Sequence, residues 1–229
     1  MNIIPNYETP RFFNQLKFEL ISWIGRSFFS RRSKIQALNG LSLLIDIGVG
    51  ANFREGWVHV DFFSLRLRFW RKINRRAEVE TDLRYPLLST KEIADGVYSC
   101  HTIEHLYPKE AYRLLAEILR ILKPGCWLRL GVPDLQVALD FYNGKILMPE
   151  YKCRAEAIAH LTQDWGHHSV WDEELLKHAL KSVGFINIKK VQFGTEGSDR
   201  RLIKEEDVRR KWTIVMEAQK PATLLFATD

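Results

Sequence analysis

Two aspartates and two glycines early in the chain have the types and spacing of a nucleotide-binding site. The apolar run 43–45 ends in Asp46, Gly48 and Gly50 follow, and a second short apolar run ends in Asp61. Such runs are typical of buried parallel strands, and glycines let a ligand approach the backbone of the next turn. A carboxylate at a strand end can accept hydrogen bonds from ribose hydroxyls. The pattern predicts an adenosine-type ligand across the carboxyl ends of parallel strands.

Further motifs follow in the order expected of one sheet. Each comes at a predicted strand end or helix end. They are Asp82-Leu83 after a third strand at 77–81, Ser99-Cys100-His101 and Glu104-His105-Leu106 after a fourth, and Leu122-Lys123-Pro124-Gly125 before a fifth at 127–134. Strand patterns that alternate with helix patterns predict βαβ units and a parallel sheet.

With these motifs the chain resembles the class I S-adenosylmethionine-dependent methyltransferases. The resemblance is greatest to small bacterial members with a glycine-rich first motif, Glu-His-Leu after strand four and Leu-Lys-Pro-Gly before strand five, and it covers residues 41 to 220. It implies an α/β fold with a Rossmann-like, seven-stranded sheet that is mostly parallel, a last strand that is antiparallel, and helices on both faces. It also implies S-adenosylmethionine as cofactor and S-adenosylhomocysteine as product.

The resemblance implies donor contacts for the residues after the first two strands. Gly48 and Gly50 would lie close to the methionine part of the donor, and Asp46 would lie near its amino group, directly or through water. Asp61 would accept hydrogen bonds from the ribose hydroxyls. Each acid also has a structural alternative, since it could bond the adjacent loop.

The next two strand ends complete the predicted donor site. Asp82 would bind the adenine amino group, and Leu83 would line the ring. Ser99 and His101 would lie where the methyl group faces the acceptor. Asp82 could instead be an ordinary turn residue, and His101 could be a buried structural histidine.

Methyl transfer from a sulfonium is an in-line displacement, so the enzyme needs no nucleophile. An oxygen acceptor must lose its proton, which requires a general base. Imidazole titrates near neutrality, and the candidate bases are therefore His101, His105, His167 and His168. Adjacent histidines without further ligands do not predict a metal site, and we expect none.

The acceptor is predicted to be a small molecule or a glycan, methylated at oxygen. Ser99-Cys100-His101 differs from the Asn/Asp-Pro-Pro-aromatic element of enzymes that methylate nucleobase amino groups. Three alternatives stay open. They are a nucleic-acid methyltransferase attracted by the basic segment 66–76, a non-catalytic donor-binding module, and a nicotinamide enzyme, although Phe53 stands where its third glycine would be.

Residues 1–40 are predicted to form a helical extension with a broad apolar face. It could cap the site, pack on its own domain or a partner, or lie on a membrane surface. Residues 41–229 form the predicted methyltransferase domain. Within it, residues 135–170 fit no strand pattern and are predicted to be an insertion over the cofactor cleft with acceptor contacts.

Composition limits the class of protein. The chain has 229 residues, 46% of them hydrophobic and 27% charged, which fits one soluble globular domain. Three cysteines without metal-ligand spacing indicate a reduced, cytoplasmic setting. No apolar run is long enough for a membrane span. The net charge of +6 leaves peripheral contact with an anionic membrane or a nucleic acid open.

Overall fold

A seven-stranded sheet flanked by helices forms the centre of the computed structural model. The structure describes residues 12–28, 34–36, 42–50, 52–62, 77–195, 197–205 and 211–222. The basic segment 66–76 lies outside the described residues.

The sheet has the order β3-β2-β1-β4-β5-β7-β6. The strands are β1 Leu44–Ile47, β2 Trp57–Asp61, β3 Val79–Glu80, β4 Gly96–Cys100, β5 Trp127–Pro133, β6 Ile186–Val191 and β7 Thr213–Gln219. Strand β1 runs parallel to β2 and β4, whereas β7 runs antiparallel to both β5 and β6. This confirms the predicted mostly parallel sheet with an antiparallel last strand.

The central strands are buried runs of apolar residues. All four residues of β1 are buried, as are the first four of both β2 and β4, as expected for parallel strands covered on both faces. Strand β3 is shorter than the predicted 77–81, because only Val79 and Glu80 pair with β2. All of these strands end at one edge, so the residues that follow them lie close together.

Helices pack on the sheet through amphipathic faces. In α2 the buried residues Ala111, Leu114, Leu115, Ile118 and Ile121 recur at helical spacing. Helix α5 begins at the N-cap Asp172 and ends at Gly184, whose φ of 110° is the left-handed conformation that favours glycine at a helix end. The helices are α1 Phe12–Phe28, α2 Pro108–Ile121, α3 Leu135–Tyr142, α4 Arg154–Gln163 and α5 Glu173–Val183, with 3-10 turns at Ile103–His105 and Arg200–Leu202.

The segment 135–170 forms a small helical unit beside the sheet. Helices α3 and α4 pack around a core of their own that contains Ala138, Phe141, Met148 and Ala157. The amide of Leu135 donates to the Trp171 carbonyl at 2.9 Å, so the two ends of the unit lie side by side.

Helix α1 buries a polar residue and exposes apolar ones. Ser22 is buried. Leu16, Leu20, Trp23 and Phe28 are all more than half exposed. Among the described helices, none is long and apolar enough to cross a bilayer.

Candidate active site

A cleft of about 820 Å³ opens at the carboxyl ends of β1, β2 and β3. It is lined by five of the predicted donor-site residues before β4, and by residues of α1 and of the turn after β4. The lining includes Gly48, Gly50, Asp61, Asp82, Leu83, His101, Thr102, His105 and His168, together with Gln15, Phe18 and Glu19 of α1 and Phe62.

The turn after β1 needs both glycines, for different reasons. Gly48 has φ 76°, and a Cβ placed there would lie 2.1 Å from Thr102 Oγ1. Thr102 fills this space because its hydroxyl donates to the Ile47 carbonyl at 3.1 Å. Gly50 has φ 58° with open space around it, so only its backbone conformation calls for glycine.

Asp61 lies at the end of β2 and holds the glycine turn in place. Its Oδ2 accepts a hydrogen bond from the Gly50 amide at 2.9 Å, and its Oδ1 accepts one from the Phe62 amide at 2.7 Å. The Phe62 ring stacks on Phe18 of α1, with centroids 4.2 Å apart. This acid is therefore fixed at the floor of the cleft beside an aromatic pair.

Asp82 connects the sheet edge to α1. It accepts hydrogen bonds from the Ser22 hydroxyl and from the Arg84 guanidinium, and Arg84 also pairs with Glu19 of α1 at 2.6 Å. Burial raises the pKa of the Asp82 carboxyl, but the hydrogen bonds from Arg84 and Ser22 outweigh burial and hold the pKa below its ordinary value. Helix α1 thus packs against this wall of the cleft.

Asp46 is buried in a recess of about 160 Å³ that shares Gly48, Gly50 and His101 with the cleft. Its carboxylate is ion-paired with Arg54, and Lys204 also lines the recess. Burial raises the pKa of the Asp46 carboxyl to about 7; Arg54 acts against this rise and Asp61 adds to it. One acid and two basic side chains therefore line this recess.

The two residues predicted after β4 have different environments. Ser99 is fully buried, and its hydroxyl donates to the Ile47 carbonyl at 3.0 Å, which holds β4 against β1. His101 has φ 56°, and its Nε2 lies 2.8 Å from Thr213 Oγ1. Its Nδ1 lies 3.2 Å from Glu104 Oε1. Of the two, His101 lines the cavities.

A second pocket of about 440 Å³ adjoins the cleft. Its walls are mainly apolar and aromatic and come from the 135–170 unit, the turn after β4, the end of β5 and the residue before β7. They include Pro133, Ala138, Tyr151, Ala157, Leu161, Trp165 and Trp212, with His101, Glu104, His105 and His167 on the polar side. His101 and His105 line both the pocket and the cleft, so the two spaces meet there.

The adjacent histidines after α4 face different spaces. His167 lines the pocket, and its ring lies 5.0 Å from the ring of His105. His168 lines the cleft, where it stacks on Tyr107 with centroids 4.4 Å apart. Burial and the neighbouring histidines lower the pKa of His105, although Glu104 acts in the opposite direction. This environment therefore favours the neutral form of His105.

Several residues of the site were not singled out from the sequence. Arg54 reaches Asp46, Thr102 fills the space beside Gly48, and Ser22 binds Asp82 from α1. Thr102 lies in the segment after strand four, so its position was a usable signal. Arg54 and Ser22 have no local pattern, because each contact depends on tertiary packing.

Comparison with known proteins agrees with this architecture. Residues 48–130 match the family model described as a methyltransferase domain. A solved S-adenosylmethionine-dependent methyltransferase from Thermotoga maritima, described as a possible histamine N-methyltransferase, is 20% identical with a TM-score of 0.51, over 90% of this chain and 99% of that one. No curated protein matches the sequence.

Two further solved structures are similar at lower identity. A possible exported protein from Bordetella parapertussis is 14% identical with a TM-score of 0.50, over 91% of this chain and 68% of that one. An S-adenosylmethionine-dependent methyltransferase from Archaeoglobus fulgidus is 16% identical with a TM-score of 0.49, over 92% and 100% of the two chains.

The strand order and the antiparallel β7 define a Rossmann-like methyltransferase fold. Together with the methyltransferase domain matched at residues 48–130, this fold supports S-adenosylmethionine-dependent methyl transfer by the chain. S-adenosylmethionine is its methyl donor.

Proposed function

We propose that the enzyme transfers the methyl group of S-adenosylmethionine to a hydroxyl oxygen of a small-molecule or glycan-type acceptor. The observation that carries this proposal is the junction at His101 and His105, where the donor cleft meets the aromatic pocket. A donor in the cleft would present its methyl group toward the pocket. An acceptor in the pocket would then lie in line with the breaking bond.

The adenosine part of the donor would occupy the large cleft. Asp61 would accept hydrogen bonds from the ribose hydroxyls, since it stands at a strand end beside the bare turn at Gly50. Asp82 would bind the adenine amino group, and Leu83 would line the ring. Phe18 would cover the base from α1, which gives the N-terminal helix its predicted role as a cap.

The amino-acid part of the donor would extend past Gly48 toward the Asp46 recess. This part carries one ammonium group and one carboxylate. Asp46 suits the ammonium, whereas Arg54 and Lys204 suit the carboxylate. Loss of the proton from Asp46 when the ammonium arrives would strengthen the contact, because only the ionised acid forms a charge pair.

The second pocket would hold the acceptor. Its volume of about 440 Å³ is that of a site for one small molecule. Tyr151, Trp165 and Trp212 offer flat faces on which a ring-shaped acceptor or a sugar would stack. The polar side, with His101 and Glu104, would meet a hydroxyl group.

In the proposed reaction the acceptor oxygen forms a bond to the methyl carbon while the carbon–sulfur bond breaks. The sulfonium becomes a neutral thioether, and the hydroxyl proton leaves to a base. We favour His101 Nε2 as that base, because Glu104 faces the other ring nitrogen and would stabilise the imidazolium. His105 and His167 are the other candidates at the pocket. His168 is on the donor side.

The test is an assay of S-adenosylhomocysteine formation on a panel of hydroxylated small molecules, sugars, amines and oligonucleotides. We expect turnover with a hydroxylated compound, lost in Trp212→Ala and kept in Leu147→Ala, an exposed residue on the surface. Turnover confined to amines would overturn the oxygen assignment. Salt-sensitive turnover of an oligonucleotide would instead support the nucleic-acid alternative.

Location in the cytoplasm also remains part of this proposal. None of the three cysteines, all of which the structure describes, forms a disulfide bond; Cys100 and Cys126 are half-buried and Cys153 is exposed. Cysteines that are not oxidised to disulfides fit a reducing compartment.

A further inference from the structure

The Glu104 carboxylate is buried without a hydrogen-bond partner among the residues that the structure describes. Its side chain is 1% exposed, and neither oxygen accepts a hydrogen bond. The nearest ring nitrogens to Oε1 are His101 Nδ1 at 3.2 Å and His105 Nε2 at 4.0 Å. Burying a charge is costly unless something compensates it. A positive ligand at this point would supply the missing partner.

Two imidazoles lie beside this carboxylate. Ligand atoms of Glu104, His105 and His167 all lie within 4.8 Å of one another. All three side chains line the aromatic pocket. One carboxylate and two histidines therefore converge on one wall of the space proposed for the acceptor.

The hydrogen bonds around the imidazoles suit metal binding. His167 Nδ1 lies 2.8 Å from the Leu161 carbonyl oxygen and donates to it, which leaves Nε2 with a free lone pair. The ring of His105 forms a hydrogen bond with the backbone of Gly166. Metal-binding histidines usually donate their second ring N–H to a carbonyl or carboxylate in this way.

Backbone contacts hold the three residues together. The Glu104 carbonyl accepts hydrogen bonds from the amides of His168 and Ser169, at 2.7 and 3.1 Å. These bonds attach the segment that carries His167 to the turn that carries Glu104 and His105. The grouping is therefore fixed on both sides by main-chain structure.

We propose that Glu104, His105 and His167 bind a divalent transition metal at the wall of the acceptor pocket. Two imidazoles and one carboxylate suit Zn²⁺, Mn²⁺ or Fe²⁺, whereas Mg²⁺ prefers oxygen ligands. Ligands at about 2.1 Å from a tetrahedral metal lie roughly 3.4 Å apart, so the side chains close in slightly when the metal binds. Three protein ligands leave a position open to the pocket.

The role of the metal toward the acceptor rests on the proposed function. A hydroxyl bound at the open position would be acidified by the metal. Its proton would pass to His101, its oxygen would form the bond to the methyl carbon, and the carbon–sulfur bond would break to give the thioether. His105 and His167 would then act as ligands, and His101 would remain as the base.

The test measures metal binding without donor or acceptor. Purified protein stripped with chelator is titrated with Zn²⁺ by calorimetry and with Co²⁺ by visible absorption. We expect one ion per chain, and an affinity for the ion that is at least roughly 100-fold weaker in Glu104→Gln and in His167→Asn. This loss is larger than that typical of removing a hydrogen-bond partner of a ligand. His168→Asn and His178→Asn, which alter histidines outside the cluster, should bind as wild type does.

The outcomes separate the two proposals. The metal site is overturned if the wild-type protein does not bind one ion per chain. It is also overturned if Glu104→Gln binds the metal with the affinity and the Co²⁺ spectrum of wild type. Thermal unfolding of each variant shows whether it is folded, and a folded His167→Asn gives an independent result if Glu104→Gln is not. Metal binding by a protein that methylates no hydroxyl compound overturns the proposed function and leaves the metal site in place.

Discussion

The Arg54 guanidinium is ion-paired with the Asp46 carboxylate and also donates a hydrogen bond to the Lys204 carbonyl oxygen at 2.8 Å. This one side chain connects the end of β1 to a segment near the end of the chain. It also places a positive charge beside the acid proposed to bind the donor ammonium. The charge balance of the recess is therefore a property of the tertiary structure.

The raised pKa of Asp46 predicts a pH-dependent stability. The native protein holds the Asp46 proton up to about pH 7, whereas the unfolded chain releases it near pH 4. The free energy of unfolding should therefore fall as pH rises from about 4 to 7, by about 4 kcal/mol at most from this group. Chemical denaturation at pH 5 and pH 8 measures this.

Asp46→Asn is the control for that pH effect, because an amide does not titrate. The stability of the variant relative to wild type should increase between pH 5 and pH 8. An equal difference at both pH values would mean that Asp46 is already ionised at pH 5 in the native protein.

Asp61→Ala should weaken binding of S-adenosylhomocysteine by roughly 30–100-fold while the fold is retained. Loss of hydrogen bonds from ribose hydroxyls to a carboxylate costs about 2–3 kcal/mol. Calorimetric titration measures the affinity, and Glu174→Ala on the exposed first turn of α5 serves as control. Wild-type affinity in Asp61→Ala would contradict the ribose contact.

Gly48→Ala should destabilise the protein more than Gly50→Ala does. Both substitutions strain a positive φ, at about 1 kcal/mol, but only the new Cβ at position 48 meets Thr102. Thr102→Ala should recover part of the loss caused by Gly48→Ala and none of that caused by Gly50→Ala. Denaturant unfolding of the double-mutant cycles checks this, and additivity at position 48 would exclude the clash.

Phe18→Ala should lower the donor affinity roughly fivefold, because an aromatic contact such as the one proposed between Phe18 and the adenine contributes about 1 kcal/mol. Leu20→Ala changes another large apolar residue of α1, but one that is 53% exposed, and it should leave the affinity unchanged. Equal effects of the two substitutions would show that α1 acts through its overall stability and not as a cap over the base.

His101→Asn should reduce turnover by roughly 10²–10⁴-fold, as expected when a general base is removed, with donor affinity within about threefold of wild type. Asparagine is chosen because it tolerates the positive φ at this position. Rates of product formation at saturating donor, together with donor titrations, separate the two effects. Normal turnover would move the base to another group.

The fold could be predicted largely from local patterns. Buried apolar runs indicated the strands, whereas the antiparallel last strand, which β7 forms, was implied by the resemblance to methyltransferases and not by its own residues. Strand β3 was overestimated, because its apolar–polar pattern continues beyond the two residues that pair with β2. The sequence pattern of a segment indicates its tendency to form a strand, whereas the length that pairs depends on where the neighbouring strand ends.

The sequence by itself determined the carboxylates and glycines at the strand ends, since the chain order of a parallel sheet places them at one edge. Only the tertiary structure decided how Glu104, His105 and His167 converge, that His168 faces the other space, and that Ser22 of α1 reaches Asp82. Some of these contacts join segments that are far apart in the chain. The others depend on the directions in which the side chains of adjacent residues point. Neither property follows from residue type and spacing, because both are set by packing across the whole domain.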